Sequence, residues 1–421
     1  MAAGLSPSGL AQGADAGSDA VAGTHANTVK VALAQISPVY LNREETLKKV
    51  IDAVREASKG GASIMATGEA LVPGMLKFRT TTPGAGYPIF VERAGGAIFG
   101  SQVQKDLFAR YADQAVTPEL GHLEGVQEAA KQHGVTVILG MIERPLQRSG
   151  TSLYCSIAYI DGGTGTVKAI HRKIMPTFEE RLVWSAGDGA GIVTHPHPTS
   201  NGTGASPWVV GALNCYETWL PLMRAALHAQ GENLHFSLWP GCARNTRDMT
   251  RFYALEGRSF AVSVSAVMKW QDVRRENVPH YDLVVGGAAS LGSAVTDGSL
   301  EAAAKGSEAQ ALSGTAGPAA DVILDGGSCV AGPSGEWLLS PEDTCDGEEG
   351  VFIVEVDHRH VLQERQCLDI SGHYSRPDIL QLQVHRSRQA TAMFHDGPGS
   401  AADTSLNPAP SSKFPHPSPS K

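Results

Sequence analysis

Apolar and polar positions along the chain alternate between two periods. VKVALAQI, near the N-terminus, is almost continuously apolar and predicts a buried strand. NREETLKKVIDAVREASKGG then shifts to a helical period, with Asn42 as cap, Glu45 at the capping-box position and Gly60 as stop. LEGVQEAAKQHG followed by GVTVILGMI repeats the helix-then-strand order. Further on, Trp208 to Leu213 predict another strand that runs into Cys215. Pro221 falls where a helix's first turn tolerates its missing N–H, and Leu220, Met223 and Leu227 mark one face of that helix. RDMTRFYALEGRSF sets Met249, Phe252 and Leu255 at helical spacing, which predicts one buried face. GRSFAVSVSAVMKW and GGSCVAGP read as core strands. The alternation of helices and strands is that of an α/β protein, and the sequence shows no internal repeat.

Three stretches break the pattern. Residues 1–27 are rich in Ala, Gly and Ser, residues 396–421 in Pro and Ser, and both are expected to be disordered tails around one catalytic domain, residues 28–395. From about Glu276 to Asp325 small residues dominate and no apolar face is defined. This reads as a surface insertion, with a short helix possible in SLEAAAKGSEAQAL, and as inert elaboration rather than a lid or partner-binding loop.

Composition narrows the class. With 42% hydrophobic and 18% charged residues the chain can bury a sizeable core, and no apolar run approaches the ~20 residues of a membrane span. A formal charge of −9 argues against nucleic acid or an anionic membrane as partner. Six cysteines in 421 residues, with no CxxC pair and no signal peptide, point to a reduced, cytoplasmic protein rather than a disulfide scaffold. The first tail lacks Arg and Lys and carries Asp15 and Asp19, unlike a transit peptide.

Candidate chemistry gathers where apolar strands end. Cys215 closes WVVGALNC just before a helix, where the positive end of a helix dipole would favour thiolate. The bland alternative, a buried small hydrophobe, fits most cysteines, and Cys155, Cys242, Cys329, Cys345 and Cys367 show how common they are here. In GASIMATGEALVPGM the run Ile64 to Ala66 stops at Glu69. In TVKAIHRKIMPTFEERLVW, strand alternation puts Val167, Ala169, His171 and Lys173 on one face and turns Lys173 inward before Pro176. An inward lysine is costly unless a carboxylate pairs with it or its pKa falls. Each residue alone is a weak signal; all three at strand ends is the arrangement in which α/β proteins place chemistry.

Eight segments in order, VKVALAQISPVYLNREETLKKV, GEALVPG, HRKIMPTFEERLVWSAGDG, GALNCYETWLPLMR, WPGCARNT, ALEGRSF, GGSCVAGPSGEW and DISGHYSRPD, resemble the nitrilase superfamily of carbon–nitrogen hydrolases, and its nitrilase branch in particular. The resemblance runs from about Thr28 to Asp378 and implies a four-layer αββα sandwich. Carried over by motif, Glu69 resembles the family's general base, Lys173 its catalytic lysine, Cys215 its nucleophile and Glu180 its second glutamate, with Glu179 the adjacent competitor. Departures cluster around the expected pocket entrance and bear on substrate range. Thr67-Gly68 stands where relatives usually have Phe-Pro, Tyr216 where many have Trp, and MLKFRTTTPGAGYP follows Gly74, with Tyr87-Pro88 a displaced counterpart of the family's Tyr-Pro.

Other constellations carry less. His195 and His197 in THPHP, and His358 and His360 in DHRH, invite a metal reading, but neither pair has a clustered third ligand, so solvated or strand-end histidines are expected. GTGA at 202–205 lacks the context of a phosphate loop, and Gly187-Asp188-Gly189 reads as a turn. Glu217 either orients the site or makes an ionic or capping contact. His373, Tyr374 and Arg376 match the family's C-terminal motif, in an intersubunit or structural role.

The resemblance implies the following chemistry. Glu69 takes the Cys215 proton and the thiolate attacks a nitrile carbon to give a thioimidate, with Lys173 and the Tyr216 backbone N–H as donors to the developing charge. Water activated by Glu69 then releases ammonia and finally a carboxylic acid, without metal or organic cofactor. The leading expectation is a nitrilase acting on a small organic nitrile. An amidase or other C–N hydrolase with the same triad is the alternative, and a non-catalytic scaffold the third. A homo-oligomer, a dimer or a larger spiral, is implied by resemblance alone.

Overall fold

The first strand, β1 (Thr28–Gln35), leads into α1 (Arg43–Lys59) and β2 (Ile64–Thr67). The two-residue strands β3 (Phe78–Arg79) and β4 (Gly86–Tyr87) pair with each other and precede α2 (Gln102–Gln114) and α3 (Glu124–His133). Then come β5 (Thr136–Glu143), β6 (Tyr154–Ile160) and β7 (Val167–Arg172). The second half continues with β8 (His195–His197), β9 (Trp208–Asn214), α4 (Pro221–His228), β10 (Leu234–Trp239), α5 (Ala243–Gly257) and β11 (Phe260–Ser265). The last elements are β12 (Val267–Lys269), β13 (Val322–Asp325), β14 (Cys329–Ala331), β15 (Trp337–Leu339), β16 (Gly350–Asp357) and α6 (His358–Arg365). This computed structural model describes residues 27–74, 78–79, 86–87, 102–146, 150–198, 207–281 and 322–389. The expected tails, apart from Asn27, the middle of the insertion (282–321) with its candidate helix, and GTGA lie outside the described residues.

Twelve of these strands form two six-stranded sheets, ordered β16-β1-β2-β5-β6-β7 and β15-β14-β11-β10-β9-β8, while β12 pairs with β13 and β3 with β4. In the first, β1, β2 and β5 run parallel; in the second, β9, β10 and β11 do. Strand alternation sorts the side chains into layers. Val29, Val31, Leu33, Ile64 and Ile138 of the first sheet meet Trp208, Val210, Phe236, Phe260 and Val262 of the second in a shared apolar core. On the outer side of the first sheet, Ala32, Met65, Val137 and Leu139 pack with Val50, Leu107 and Val126 from α1, α2 and α3. Outside the second sheet, Leu213 packs with Met223 and Leu227 of α4, and Trp239 with Met249 and Tyr253 of α5. Helix, sheet, sheet, helix is the αββα sandwich, expected above from resemblance.

Local chemistry accounts for the helix ends. The Asn42 side chain accepts the Glu45 N–H at 3.1 Å, a cap that contributes about 1 kcal/mol. Gly60 ends α1, but the left-handed residue that turns the chain is its neighbour Gly61, at φ +82°. Two helical faces differ from expectation. Leu220 is the half-exposed cap of α4 rather than part of its buried face. On α5 the buried face is Met249, Thr250, Tyr253 and Ala254, while Phe252 and Leu255 face outward. The outer face of the second sheet is polar at Ser263, so Thr250 bonds there at 2.6 Å, and Phe252 lies outside against the Arg224 guanidinium. No helix among the described residues is long and apolar enough to cross a membrane.

Candidate active site

Glu69 lies just beyond the C-terminal end of β2, fully buried. Its N–H donates to the Trp239 carbonyl at 3.0 Å, across to the second sheet. That approach explains Gly68, because a Cβ there would stand 2.6 Å from the Ala266 nitrogen. Ala70, on the other side, is held at φ +50°, a conformation that non-glycine residues keep only where surroundings force it.

Lys173, at the end of β7, is also buried, and its Nζ donates to Glu69 Oε1 at 2.7 Å and to Glu180 Oε2 at 2.8 Å. Burial alone would lower the lysine's pKa, but Glu69, Cys215 and Glu180 outweigh it and hold the ammonium well above its ordinary value. Lys173 is turned inward as expected, and His171 and Arg172 before it are buried too, His171 toward the second sheet and Arg172 toward Glu143 of its own, so both faces of this strand end are enclosed. Glu180 sits in a 3-10 helix, Phe178–Leu182, not in an extended segment. Its Oε2 also accepts the Thr177 N–H at 2.6 Å, which fixes the carboxylate against the turn. The Glu179 side chain lies outside the described residues. Trp184 covers this cluster, its ring centroid 5.9 Å from Lys173 Nζ and its indole N–H donating to the Tyr111 hydroxyl at 3.2 Å.

Cys215 follows β9 directly and is buried. It heads a 3-10 helix, Cys215–Trp219, whereas α4 begins only at Pro221. The expected α-helix dipole therefore lies beyond its effective range of about one turn, and the nearby cation is Lys173, whose charge interacts with the thiol. Cys215 itself adopts φ +50°, a sharp corner that sets the thiol at the head of the turn. Tyr216, next in the same turn, has a half-exposed ring set edge-on to Trp239, 6.5 Å between centroids.

Sequence reasoning missed three partnerships. The Cys155 thiol on β6 donates to Glu69 Oε1 at 3.5 Å, and burial, then Glu69, push its pKa well up, so it stays protonated. Arg172 forms a bidentate pair with Glu143 at 2.7 and 2.6 Å. His171 Nε2 meets Glu217 Oε2 at 2.9 Å. For the last two the available signal was HRK itself, three consecutive basic side chains running into a buried strand end, where each needs a hydrogen-bonding partner.

Of the four histidines singled out above, His360 is exposed and His195 and His197 end the short strand β8, as expected, but His195, His197 and His358 are tied down rather than freely solvated. His197 is buried with Nε2 2.9 Å from Ser63 Oγ, His195 stacks on Tyr159 at 4.0 Å, and buried His358 bonds Asn233 at 3.0 Å. Among the described residues no three potential ligands come together as a metal site. Asp188 of the Gly-Asp-Gly stretch caps a short turn by accepting the Ala190 N–H at 3.1 Å.

Comparison with known proteins gives the site its context. Residues 30–365 match the carbon–nitrogen hydrolase family. An aliphatic nitrilase of Rhodococcus rhodochrous is 28% identical over 375 residues, 86% of this chain and 84% of that one. An arylacetonitrilase of Aspergillus niger is 28% identical over 360 residues, 85% of this chain and 92% of that one. A solved amidase from Nesterenkonia sp. is 16% identical, with a TM-score of 0.49 over 82% of this chain and 95% of its own. Since the family match spans most of the sequence, the chain belongs to the carbon–nitrogen hydrolases and is a hydrolase of carbon–nitrogen bonds other than peptide bonds.

Proposed function

We propose that the protein hydrolyses a small organic nitrile to the carboxylic acid and ammonia, with Cys215 as nucleophile, Glu69 as general base, and Lys173 and Glu180 supporting them. The observation that carries this reading is a buried lysine held between two buried carboxylates, Glu69 at 2.7 Å and Glu180 at 2.8 Å, and interacting with a thiol on a strained corner. A nitrile carbon is only weakly electrophilic, so it calls for a thiolate rather than a hydroxyl. Glu69 takes the Cys215 proton and the sulfur adds to the nitrile carbon. The nitrogen gains negative charge, is stabilised by the Lys173 ammonium and the Tyr216 N–H, and takes the proton that Glu69 removed from Cys215, relayed through Lys173, to give a thioimidate. Glu69, a carboxylate again, deprotonates a water that adds to the same carbon and returns that proton to the nitrogen, so ammonia leaves and a thioester remains. A second water hydrolyses the thioester and regenerates the thiol. If the first tetrahedral adduct expels sulfur instead of ammonia, an amide is released.

The nitrilases among its relatives support nitrile as substrate, and the shared intermediate keeps amides as the competing class. Ammonia release measured over a nitrile panel and an amide panel, against Cys215→Ala, tests the reading. Turnover of nitriles that disappears in the variant supports it. Amide-only turnover makes the protein an amidase, and no release from either panel leaves the scaffold reading.

The same proposal covers the setting. Six free thiols fit a reducing compartment such as the cytoplasm. Tyr374, Ile379 and Leu380 are more than half exposed on the C-terminal segment, and apolar exposure of this kind supports a homo-oligomer. The net charge of −9 disfavours nucleic acid and membrane as partners.

A further inference from the structure

The corner that carries Cys215 and the strand end that carries Lys173 belong to different sheets, so no strand-to-strand ladder fixes their separation. The Glu217 side chain spans the gap. Glu217, fully buried, accepts the Ile174 N–H on Oε1 at 2.6 Å, and on Oε2 it accepts the Asn214 N–H at 3.0 Å and meets His171 Nε2 at 2.9 Å. Ile174 directly follows Lys173, Asn214 directly precedes Cys215, and His171 stands two residues before Lys173 on β7. A cap for the 3-10 turn needs only the Asn214 contact. The Ile174 and His171 contacts reach the other sheet and have no capping purpose. Burial alone would raise the Glu217 pKa, but His171 and the two N–H groups outweigh it and hold the carboxyl below its ordinary value.

We infer that Glu217, backed by His171, is the positioning residue that sets the Cys215 thiol against the Lys173 ammonium. The inference rests on the triad proposed above. All three partners of Glu217 act as donors, so a carboxylate suits the position and an amide does not. Glu217→Gln puts an NH₂ group in place of one acceptor oxygen, facing an N–H, and one anchor is lost.

Loss of register between nucleophile and lysine should lower kcat roughly 10- to 100-fold while KM stays within about threefold. Alkylation of Cys215 by iodoacetamide, followed on the folded protein by peptide mass, should slow together with kcat. A Glu217→Gln enzyme with wild-type kcat and wild-type alkylation overturns the inference, whatever its melting temperature. If that variant does not fold, His171→Leu keeps both backbone contacts and carries the test: a drop in kcat at steady KM supports the inference, and an unchanged kcat overturns it. Wild-type enzyme trapped with substrate separates the two levels. An adduct on Cys155 or Cys242 instead of Cys215 sinks the triad. An adduct on Cys215 beside an unaffected Glu217 variant sinks only the positioning role.

Discussion

Three consecutive side chains, His171, Arg172 and Lys173, each meet a buried carboxylate, and the site is built from that fact. A buried ammonium is tolerable only when its partners are near and well directed, and Lys173 has two. This arrangement makes Glu180 more than a neighbour. Its carboxylate fixes one side of the lysine while Glu69 holds the other. Glu180→Gln should therefore lower kcat about 100-fold, since a small misplacement of a reacting group is enough for that loss. The melting temperature should move little, because the amide still accepts from Lys173. Glu179→Gln should stay close to wild type. Steady-state kinetics of the pair decides, and a reversed ranking would move the role one residue along the chain. Glu69, Lys173 and Cys215 were legible in the sequence because each stands at the end of an apolar run, whereas Glu180 came from the family resemblance alone. The thiol of Cys155 against Glu69 was not, since its partner lies 86 residues away on another strand and nothing local marks the contact.

Elements place these residues, and here sequence pattern and structure part in instructive ways. Strands β1, β5 and β9 and helices α1 and α3 follow from hydrophobic period and caps. The start of the Cys215 turn does not. Pro221 marks the first turn of α4, but Cys215–Trp219, one residue ahead of it, form a tighter 3-10 helix that hydrophobic period does not mark. Nor did periodicity find the buried face of α5, because that helix packs on hydroxyls and aromatics rather than on a plain apolar surface. The Thr67-Gly68 departure gains its reason at this scale. In this chain β2 delivers Glu69 to within hydrogen-bonding reach of the Trp239 carbonyl along a path on which a Cβ at residue 68 would crowd Ala266. Gly68→Ala would place a carbon 2.6 Å from the Ala266 nitrogen and 2.9 Å from its Cβ, with backbone on one side that cannot swing away. The strand end should shift. A stability loss of roughly 1–3 kcal/mol is expected, together with a clear fall in kcat as Glu69 leaves its place. Thermal unfolding and kinetics on the same sample test this, and a fully active, fully stable Gly68→Ala would show that β2 is not pinned there.

For the whole molecule, the two sheets are joined by more than their apolar core. On the short edge strand β8, His197 Nε2 stands 2.9 Å from Ser63 Oγ just before β2, and His195 stacks on Tyr159 of β6, so both rings tie the second sheet to the first. Burial, assisted by Lys168, lowers the His195 pKa to about 4, and burial lowers that of His197 to about 4 against the opposing pull of Asp161. An unfolded histidine titrates near ~6.5. Between those values the unfolded chain binds protons that the folded one refuses, so the unfolding free energy must fall as the pH drops from ~6.5 toward 4. Above ~6.5 both states carry neutral rings and the two histidines add no slope. The expected signature is a melting temperature that is flat from pH 8 to ~6.5 and declines between ~6.5 and 5, before most carboxylates begin to protonate. His197→Gln removes one of the two titrations and keeps a polar side chain toward Ser63, so its decline over the same interval should be shallower than wild type. Parallel curves for the two proteins would mean that the ring of His197 accepts its proton in the folded state, and that acid weakens the sandwich somewhere else.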